Sequence, residues 1–245
     1  MRPLPWSHSS LSGFETCARQ YEEIKVLHNF QDKKNDSSLW GDEFHKYAEA
    51  FVRDAIAIRD ACAPSESIGA HAAVHTGLPL LPPEMQQYEK YLLQFVMRPG
   101  TTLAEQQYGL DEKLRPCAFL GNDVWMRGII DVLTLGGREA WVDDHKTGKR
   151  KKDMQQLIIF ALLVFYHHPE VMTVHTRFHW VAEGTSDGET FHRHQIEELW
   201  LTLIPKLQRY AHAFHSGVFP AKPSGLCMKH CSVDTCEYYQ RGARR

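Results

Sequence analysis

The residues best suited to chemistry lie close together in the stretch GIIDVLTLGGREAWVDDHKTGK, which ends at Lys149. Asp131 interrupts an otherwise apolar strand pattern, where a carboxylate is costly to bury without a partner. After the glycine pair Gly136–Gly137, the sequence VDDHK supplies Asp144 and Lys146. Two carboxylates on one face suit hard cations such as Mg²⁺ or Mn²⁺, and a lysine beside them can help to deprotonate a water on the metal. Such a set of residues is typical of phosphodiester hydrolysis.

The glycine pair predicts a hairpin turn, and the register of that hairpin decides which side chains meet. If the two glycines form the loop, Asp131 opposes Val142; if the loop begins one residue later, Asp131 opposes Asp144. Because strand side chains alternate, both registers place Asp144 and Lys146 on the face of Asp131 and turn Asp143 away. A three-residue loop or a bulge would reverse this assignment.

These charged residues also have a purely structural interpretation. Antiparallel sheets often have one solvated face, on which Asp131 and Asp144 would merely pair with Lys146 or Arg127. The hairpin alone leaves both interpretations open.

The surrounding pattern predicts the elements that must position these residues. Hydrophobic periodicity and turn residues indicate strands near residues 105–108, 117–120, 124–135, 140–146, 173–182 and 189–194, with the turn-rich EGTSDG joining the last two. Helices are predicted over residues 9–26, 38–60, 82–97, 153–167 and 196–215, with a loop over 62–84. The order is helices, an antiparallel meander, a crossover helix, a hairpin and a final helix. We therefore expect an α/β fold in one domain, with a helical N-terminal part (1–100), a catalytic core (101–216) and a cysteine-rich tail (217–245).

Composition restricts the classes of protein that fit. The 245-residue chain has a formal charge of −2 and a pI near 6.7, which excludes a histone-like protein that coats nucleic acid by bulk charge. A local basic track beside an acidic pocket is still compatible with these values. The N-terminus lacks the apolar core of a signal peptide, and the apolar run from Leu157 to Tyr166 is too short to span a bilayer. We expect a cytoplasmic protein with reduced thiols and no membrane contact.

The order of these motifs resembles a known family. Asp131 followed by Asp144-His145-Lys146 resembles the signature of the PD-(D/E)XK nuclease superfamily. The flanking residues are similar to its RecB-like exonuclease branch, which includes the CRISPR-adaptation exonucleases and many phage exonucleases. GIID resembles Gly-Arg-Ile-Asp with Ile129 in place of arginine, and DHKTGK resembles Asp-Tyr-Lys-Thr-Gly with His145 in place of tyrosine.

Two further motifs resemble the same branch. Gly41 and His45 match its Gly-x-x-x-His, whose histidine is a metal ligand, although composition alone would make His45 an ordinary histidine. Gln156 and Phe160 match its Gln-x-x-x-Tyr, with phenylalanine in place of tyrosine. On sequence alone Gln156 could simply cap its helix; the resemblance implies a contact with Lys146 or DNA and implies a stacking surface for DNA at Phe160.

The resemblance implies a restriction-endonuclease-like core, with a mixed central sheet, and a metal-dependent DNA nuclease, most often an exonuclease. Its metal ligands would be His45, Asp131, Asp144 and the backbone carbonyl of His145, which would hold one or two Mg²⁺ or Mn²⁺ ions. The catalytic set would be Asp131, Asp144, Lys146 and Gln156, acting on single-stranded DNA or linear duplex ends. A partner protein from recombination or repair is a further expectation. The alternative is a non-catalytic DNA-binding or assembly module on a nuclease-like scaffold.

Two further sets of charged residues lie near this proposed site in the sequence or the predicted sheet. Lys149, Arg150, Lys151 and Lys152 form a basic run that is usually a solvated loop, but beside a phosphodiester site it would hold a nucleic-acid backbone. Glu105 could reach a second metal, although an ordinary surface carboxylate is the expectation.

The cysteines form the last pattern. Cys227, Cys231 and Cys236 are close together in the tail, and three cysteines so close are unusual in an intracellular chain unless they bind a metal. The RecB-like branch often holds an iron–sulfur cluster with one N-terminal and three C-terminal cysteines, which implies Cys17 as the fourth ligand of a [4Fe-4S] cluster. Zinc, with His230 as a substitute ligand, and free thiols are the alternatives. A zinc-ribbon regulator would explain the tail but not the hairpin.

Overall fold

The structure is a computed structural model that describes residues 3–32, 36–61, 77–78, 81–150 and 154–241. Its N-terminal half is helical. The helices are α1 (His8–Thr16), α2 (Ala18–Tyr21), a π-helical turn (Glu22–Val26), α3 (Asp36–Ala61), a 3-10 turn (Gln86–Tyr88) and α4 (Glu89–Val96).

Two predicted helices differ from those observed. The helix predicted over 9–26 is interrupted at Cys17, whose backbone is extended (φ −162°, ψ 107°), so that α1 and α2 are separate. The helix predicted from Pro82 begins only at Gln86 because residues 83–85 form a turn, in which the N–H groups of Met85 and Gln86 donate to Pro82 O.

The second half forms a six-stranded mixed sheet in the order β2-β1-β3-β4-β5-β6. The strands are β1 (Thr101–Asp111), β2 (Pro116–Cys117), β3 (Val124–Gly136), β4 (Glu139–Lys146), β5 (Thr173–Trp180) and β6 (Thr185–His192). Every neighbouring pair is antiparallel except β4 and β5, which are parallel and joined by the crossover helix α5 (Gln155–His167). The predicted α/β class and element order are therefore confirmed.

The last hairpin is longer than predicted. The stretch EGTSDG was expected to be a turn, yet Thr185 to Gly188 already belong to β6. Glycine is required at 188 because a Cβ there would lie 2.3 Å from Thr176 O of the paired strand. The chain continues into a 3-10 turn (Arg193–Gln195), α6 (Ile196–Ser216) and a short α7 (Leu226–Lys229).

Two hydrophobic clusters lie on opposite sides of the sheet. The larger one packs α5 against α1, α6 and the sheet, and it buries Leu157, Leu163 and Phe165 completely. The smaller one packs α3 and α4 against Val132. None of the helices in the described ranges is both long and apolar enough to cross a bilayer.

Candidate functional site

The β3–β4 hairpin has the register that brings the two carboxylates together. Gly136 pairs with Glu139 and Val132 pairs with Asp143, so the turn consists of Gly137 and Arg138. Carried one residue further, this register places Asp131 opposite Asp144. Glycine suits position 137 because its φ is +69°.

Asp143 points to the other side of the sheet, as predicted. It accepts hydrogen bonds from Arg98 Nη1 (2.5 Å) and His179 Nε2 (2.7 Å). Burial raises the pKa of Asp143, but these two hydrogen bonds outweigh burial and the net pKa is lowered. Asp143 is therefore an ionised structural anchor for β4 on the side of α4.

Asp144, Lys146 and Gln156 form a closed triangle at the start of α5. Lys146 Nζ lies 2.5 Å from Asp144 Oδ2 and donates to Gln156 Oε1 (2.8 Å). Gln156 Nε2 in turn donates to Asp144 Oδ1 (3.0 Å). The side chain of Gln156 is thus directed at the carboxylate and the lysine. Asp144 Oδ2 is buried and forms an ion pair with Lys146.

A second group of potential ligands surrounds Asp131. One ligand atom from each of His45, Glu105 and Asp131 lies within 4.8 Å of the others, and His45 Nδ1 is 3.4 Å from Asp131 Oδ2. Glu105 reaches this position because Ala104 pairs with Val132 and Gln106 with Ile130, which places it opposite Asp131. The expectation that Glu105 is an ordinary surface carboxylate was wrong, since it is half-buried in this cluster.

At Asp131 and Glu105, the side of the sheet to which alternate residues of β3 and β1 point is reversed. In β3, Ile130 packs in the cluster around α5, whereas Val132 packs against α3 and α4. In β1, Tyr108 likewise packs in the cluster around α5, whereas Ala104 packs against α3 and α4. The irregular residue between them is Glu105, whose φ is +48°.

The pKa values in this cluster reflect crowded negative charge. Burial and the charge of Asp144 raise the pKa of Asp131 well above its usual range. Burial and the charge of Glu49 raise the pKa of Glu105 to about 7. Burial lowers the pKa of His45 despite the nearby charge of Asp144, which favours the neutral imidazole that binds metals. A divalent cation would offset this repulsion, and carboxylate oxygens with one imidazole are suitable ligands for Mg²⁺ or Mn²⁺.

His145 contributes through its backbone and its buried ring. Its backbone N–H donates to Asp131 Oδ2 (2.7 Å), and its backbone is hydrogen-bonded to the ring of His45. Its Nδ1 is 2.7 Å from the hydroxyl of Tyr91. Burial, together with His45 and His179, lowers the pKa of His145 to about 3, so the ring is neutral.

Gly41 allows α3 to approach the end of β4. A Cβ at this position would lie 2.8 Å from Thr147 Oγ1. His45 is one helical turn further along α3, so the close approach at Gly41 brings its imidazole towards Asp131.

The residues predicted to bind DNA have different surroundings. Lys149 is exposed. Arg150 is paired with Asp187 through both its Nε (2.7 Å) and Nη2, so its charge is largely compensated by β6. Lys151 and Lys152 lie outside the described residues. Phe160 was expected to offer a stacking surface, but it is only 2% exposed and packs beside Gly128, so this expectation is corrected.

The four cysteines of the predicted cluster line one small cavity between the two ends of the chain. Burial, together with the other three thiols, raises the pKa of Cys231, which reflects their proximity. Backbone N–H groups of Lys222 and Ser224 donate to the sulfurs of Cys17 (3.5 Å) and Cys227 (3.4 Å). None of these four cysteines forms a disulfide.

Comparison with models of known protein families gives a match over most of the chain. A family model of the PD-(D/E)XK nuclease superfamily matches residues 5–238. The chain belongs to this superfamily. The six-stranded mixed sheet of this PD-(D/E)XK protein, with helices on both faces, is consistent with the restriction-endonuclease-like core that the motifs implied.

Matches to individual proteins are more distant. A crystal structure from Eubacterium rectale, named "Putative exonuclease", is 11% identical in sequence, with a TM-score of 0.47. The aligned region covers 98% of this PD-(D/E)XK chain and 89% of the Eubacterium rectale chain. No curated protein matches the chain. Membership of the superfamily supports a metal-dependent hydrolase that acts on nucleic acid.

Sequence reasoning missed part of the site. Tyr91, Arg98 and His179 gave no motif signal, because their role depends on α4 and β5 packing behind β4. The position of Glu105 in the cluster was also missed. It depends on the register between β1 and β3, which no turn signal in the sequence defines.

Proposed function

We propose that the chain is a Mg²⁺- or Mn²⁺-dependent deoxyribonuclease that digests DNA from its ends. The observation that carries this proposal is the convergence of Asp131, Asp144 and Lys146 with His45 and Glu105 at one end of β4. Three carboxylates this close together repel one another, and the neighbouring cations only partly compensate their charge. A metal site in a nuclease requires such an arrangement, whereas a purely structural charge cluster does not.

Each side chain has a distinct role in this proposal. Asp131, Asp144, His45 and the backbone carbonyl of His145 would hold the cation, and Glu105 would extend the site towards a second one. A bound divalent cation would supply Lewis acidity and lower the pKa of a water molecule.

The remaining residues act on charge and orientation. Lys146 Nζ would offset the charge that develops on the scissile phosphate and orient the attacking water. Gln156 would keep Lys146 and Asp144 at their present separation, because its amide bonds to both. The exposed Lys149 would contact the DNA backbone without reading sequence.

The choice of exonuclease depends on the motifs rather than on the fold. The pairs Gly41–His45 and Gln156–Phe160 resemble the RecB-like branch, whose members include many exonucleases. An enzyme that requires an end should degrade linear duplex or single-stranded DNA and leave closed circular DNA intact.

The cysteine site supports a [4Fe-4S] cluster better than zinc. Four sulfurs around one Zn²⁺ ion would be about 3.8 Å apart, given Zn–S bonds of about 2.3 Å. Among the described residues, His45, Glu105 and Asp131 are the one group of three or more ligands within 4.8 Å of one another, so the cysteine sulfurs are spread more widely. A multi-iron cluster fits that spread, and two backbone N–H donors to sulfur are suitable for it. Its role would be to fasten the two ends of the chain.

The test is digestion of labelled DNA by the purified protein with Mn²⁺ or Mg²⁺. We expect linear DNA to be degraded, closed circles to persist, and Asp144→Asn to lower the rate by at least about 100-fold. Asp60→Asn, an exposed position on α3, is the matched control and should retain the wild-type rate. Absence of any degradation, or full activity of Asp144→Asn, contradicts the proposal, and cleavage of closed circles contradicts the exonuclease part.

A further inference from the structure

The outer side of β3 continues beyond the metal cluster as an open strip. Met126 and Ile130 face the buried core, and Gly128 faces Phe160 and Leu163 of α5. Since strand side chains alternate, Ile129 and Arg127 point to the opposite side of the sheet, on which α3 carries His45. The pairing of β4 with β3 stops at Val132 and Asp143, short of this part of β3. Ile129 is accordingly 38% exposed, which is unusual for a large aliphatic residue next to buried carboxylates.

Arg127 occupies the far end of this strip, beside the ring of Phe119. Its guanidinium carbon lies 5.1 Å from the centroid of the Phe119 ring, which covers one flat face. In the part of the chain that the structure describes, no carboxylate forms an ion pair with Arg127. Its backbone N–H donates to Trp6 O (2.9 Å), which fixes the strand at this point.

The groove beside Arg127 is large enough for a phosphate group. It has a volume of about 540 Å³, and its lining includes Ser7, Ser9 and Thr16 together with the apolar residues Leu4 and Ile24. Lys25 and Asp32 also line the groove but pair with each other at 2.5 Å. The net charge that faces the groove is therefore that of Arg127.

We propose that Arg127 binds a backbone phosphate of the DNA strand whose scissile phosphate lies at the Asp131 cluster. Four residues of extended strand separate the two positions by about 13 Å, which corresponds to a few nucleotides. A guanidinium held flat by an aromatic ring presents its N–H edge for bidentate bonds to phosphate oxygens. Ile129, between the two positions, offers an uncharged surface for sugar or base. This inference rests on the proposed function for its choice of ligand.

The test measures DNA binding without cleavage. Fluorescence anisotropy of a labelled single-stranded oligonucleotide of mixed sequence, in the presence of EDTA, gives the Kd at several salt concentrations. We expect Arg127→Gln to raise the Kd at least fivefold, irrespective of sequence, and to reduce the slope of log K against log salt by about 1. Arg127→Lys should recover part of the affinity, because it keeps the charge but loses the planar fork. Arg177→Gln, at an exposed arginine of β5, is the matched control and should bind like the wild type.

A second variant keeps the result interpretable if Arg127→Gln folds poorly. Ile129→Glu places a negative charge on an already exposed position of the strip and should also raise the Kd at least fivefold. Wild-type affinity of either variant, when folded, overturns the inference. Failure of the proposed function is distinguishable, because it would be seen as no hydrolysis by the wild type with Mn²⁺, whatever the anisotropy shows.

Discussion

Gln156 Nε2 donates a hydrogen bond to Asp144 Oδ1 while Gln156 Oε1 accepts one from Lys146 Nζ. One neutral amide thus bridges an acid and a base that already form an ion pair with each other. Because Gln156 lies in the first turn of α5, the crossover helix fixes the geometry of residues at the end of β4.

Gln156→Leu removes both hydrogen bonds while keeping a side chain of similar size. Hydrogen bonds to charged groups contribute about 1.5–3 kcal/mol. We therefore expect kcat for DNA digestion to fall roughly 10- to 100-fold, with little change in DNA affinity. Gln208→Leu, at an exposed position of α6, is the control and should leave kcat unchanged. Equal kcat values for both variants would show that the bridge is not needed.

Glu105→Gln removes the charge of a carboxylate beside Asp131. We expect Mn²⁺ to bind roughly 10- to 100-fold more weakly, as is typical when a group that supports a metal site is lost. Electron paramagnetic resonance of free Mn²⁺ measures this directly and does not depend on turnover. The exposed Glu84→Gln is the control. Unchanged Mn²⁺ affinity in Glu105→Gln would exclude Glu105 from the site.

Gly41→Ala tests the close approach of α3 to β4. The added methyl group would clash with Thr147 Oγ1, so we expect α3 to shift and His45 to move from Asp131. DNA digestion should slow several-fold, and the free energy of unfolding should fall by about 1 to 3 kcal/mol. The double variant Gly41→Ala/Thr147→Ala removes the obstructing hydroxyl and should recover activity. If the double variant is as slow as the single one, the contact is not the cause.

His167 provides a pH-dependent contribution to stability away from the site. Its Nε2 is 2.9 Å from Gly109 O, its ring stacks on Tyr108 at 4.1 Å, and burial lowers its pKa. The unfolded chain then binds this proton more readily than the native state, so the contribution is complete above about pH 6.5 and is lost as pH falls through the native pKa. Urea unfolding between pH 7 and 5 should show a shallower pH dependence for His167→Gln. A slope equal to that of the wild type would contradict this.

Cys231→Ser tests the cysteine site. The protein purified without oxygen should be brown and contain iron, and the variant should lose both the visible absorbance and the iron. Its thermal midpoint should fall because the two ends of the chain are no longer joined. Cys117→Ser, which lies in β2 away from this cavity, should keep colour and stability. Zinc in the wild type, or iron retained in Cys231→Ser, would contradict the cluster.

Sequence reasoning predicted the hairpin chemistry well because alternation along strands is local. The direction of Asp143, which points to the side of the sheet opposite Asp144, followed from period two alone. The exact register did not, since two loop choices fitted the glycine pair. Only the structure selects the turn at Gly137 and Arg138.

Features that depend on packing between distant segments were not predictable in this way. Tyr91 lies in α4 and Arg98 follows it, and the sequence predicts this helix without indicating what it touches. Phe160 is different, because a signal was present. A helix that is apolar on all sides is normally buried all round, so α5 could have been predicted to leave no aromatic surface for DNA.

The left-handed backbone of Glu105 has a consequence for the evolution of this protein. A non-glycine residue with φ of +48° sacrifices about 1 kcal/mol of folding free energy. Glycine would remove that strain, and it would also remove the carboxylate. The residue that completes the cation cluster therefore makes the protein less stable than it could be. Selection for thermal stability alone would favour glycine at this position and remove a ligand from the site.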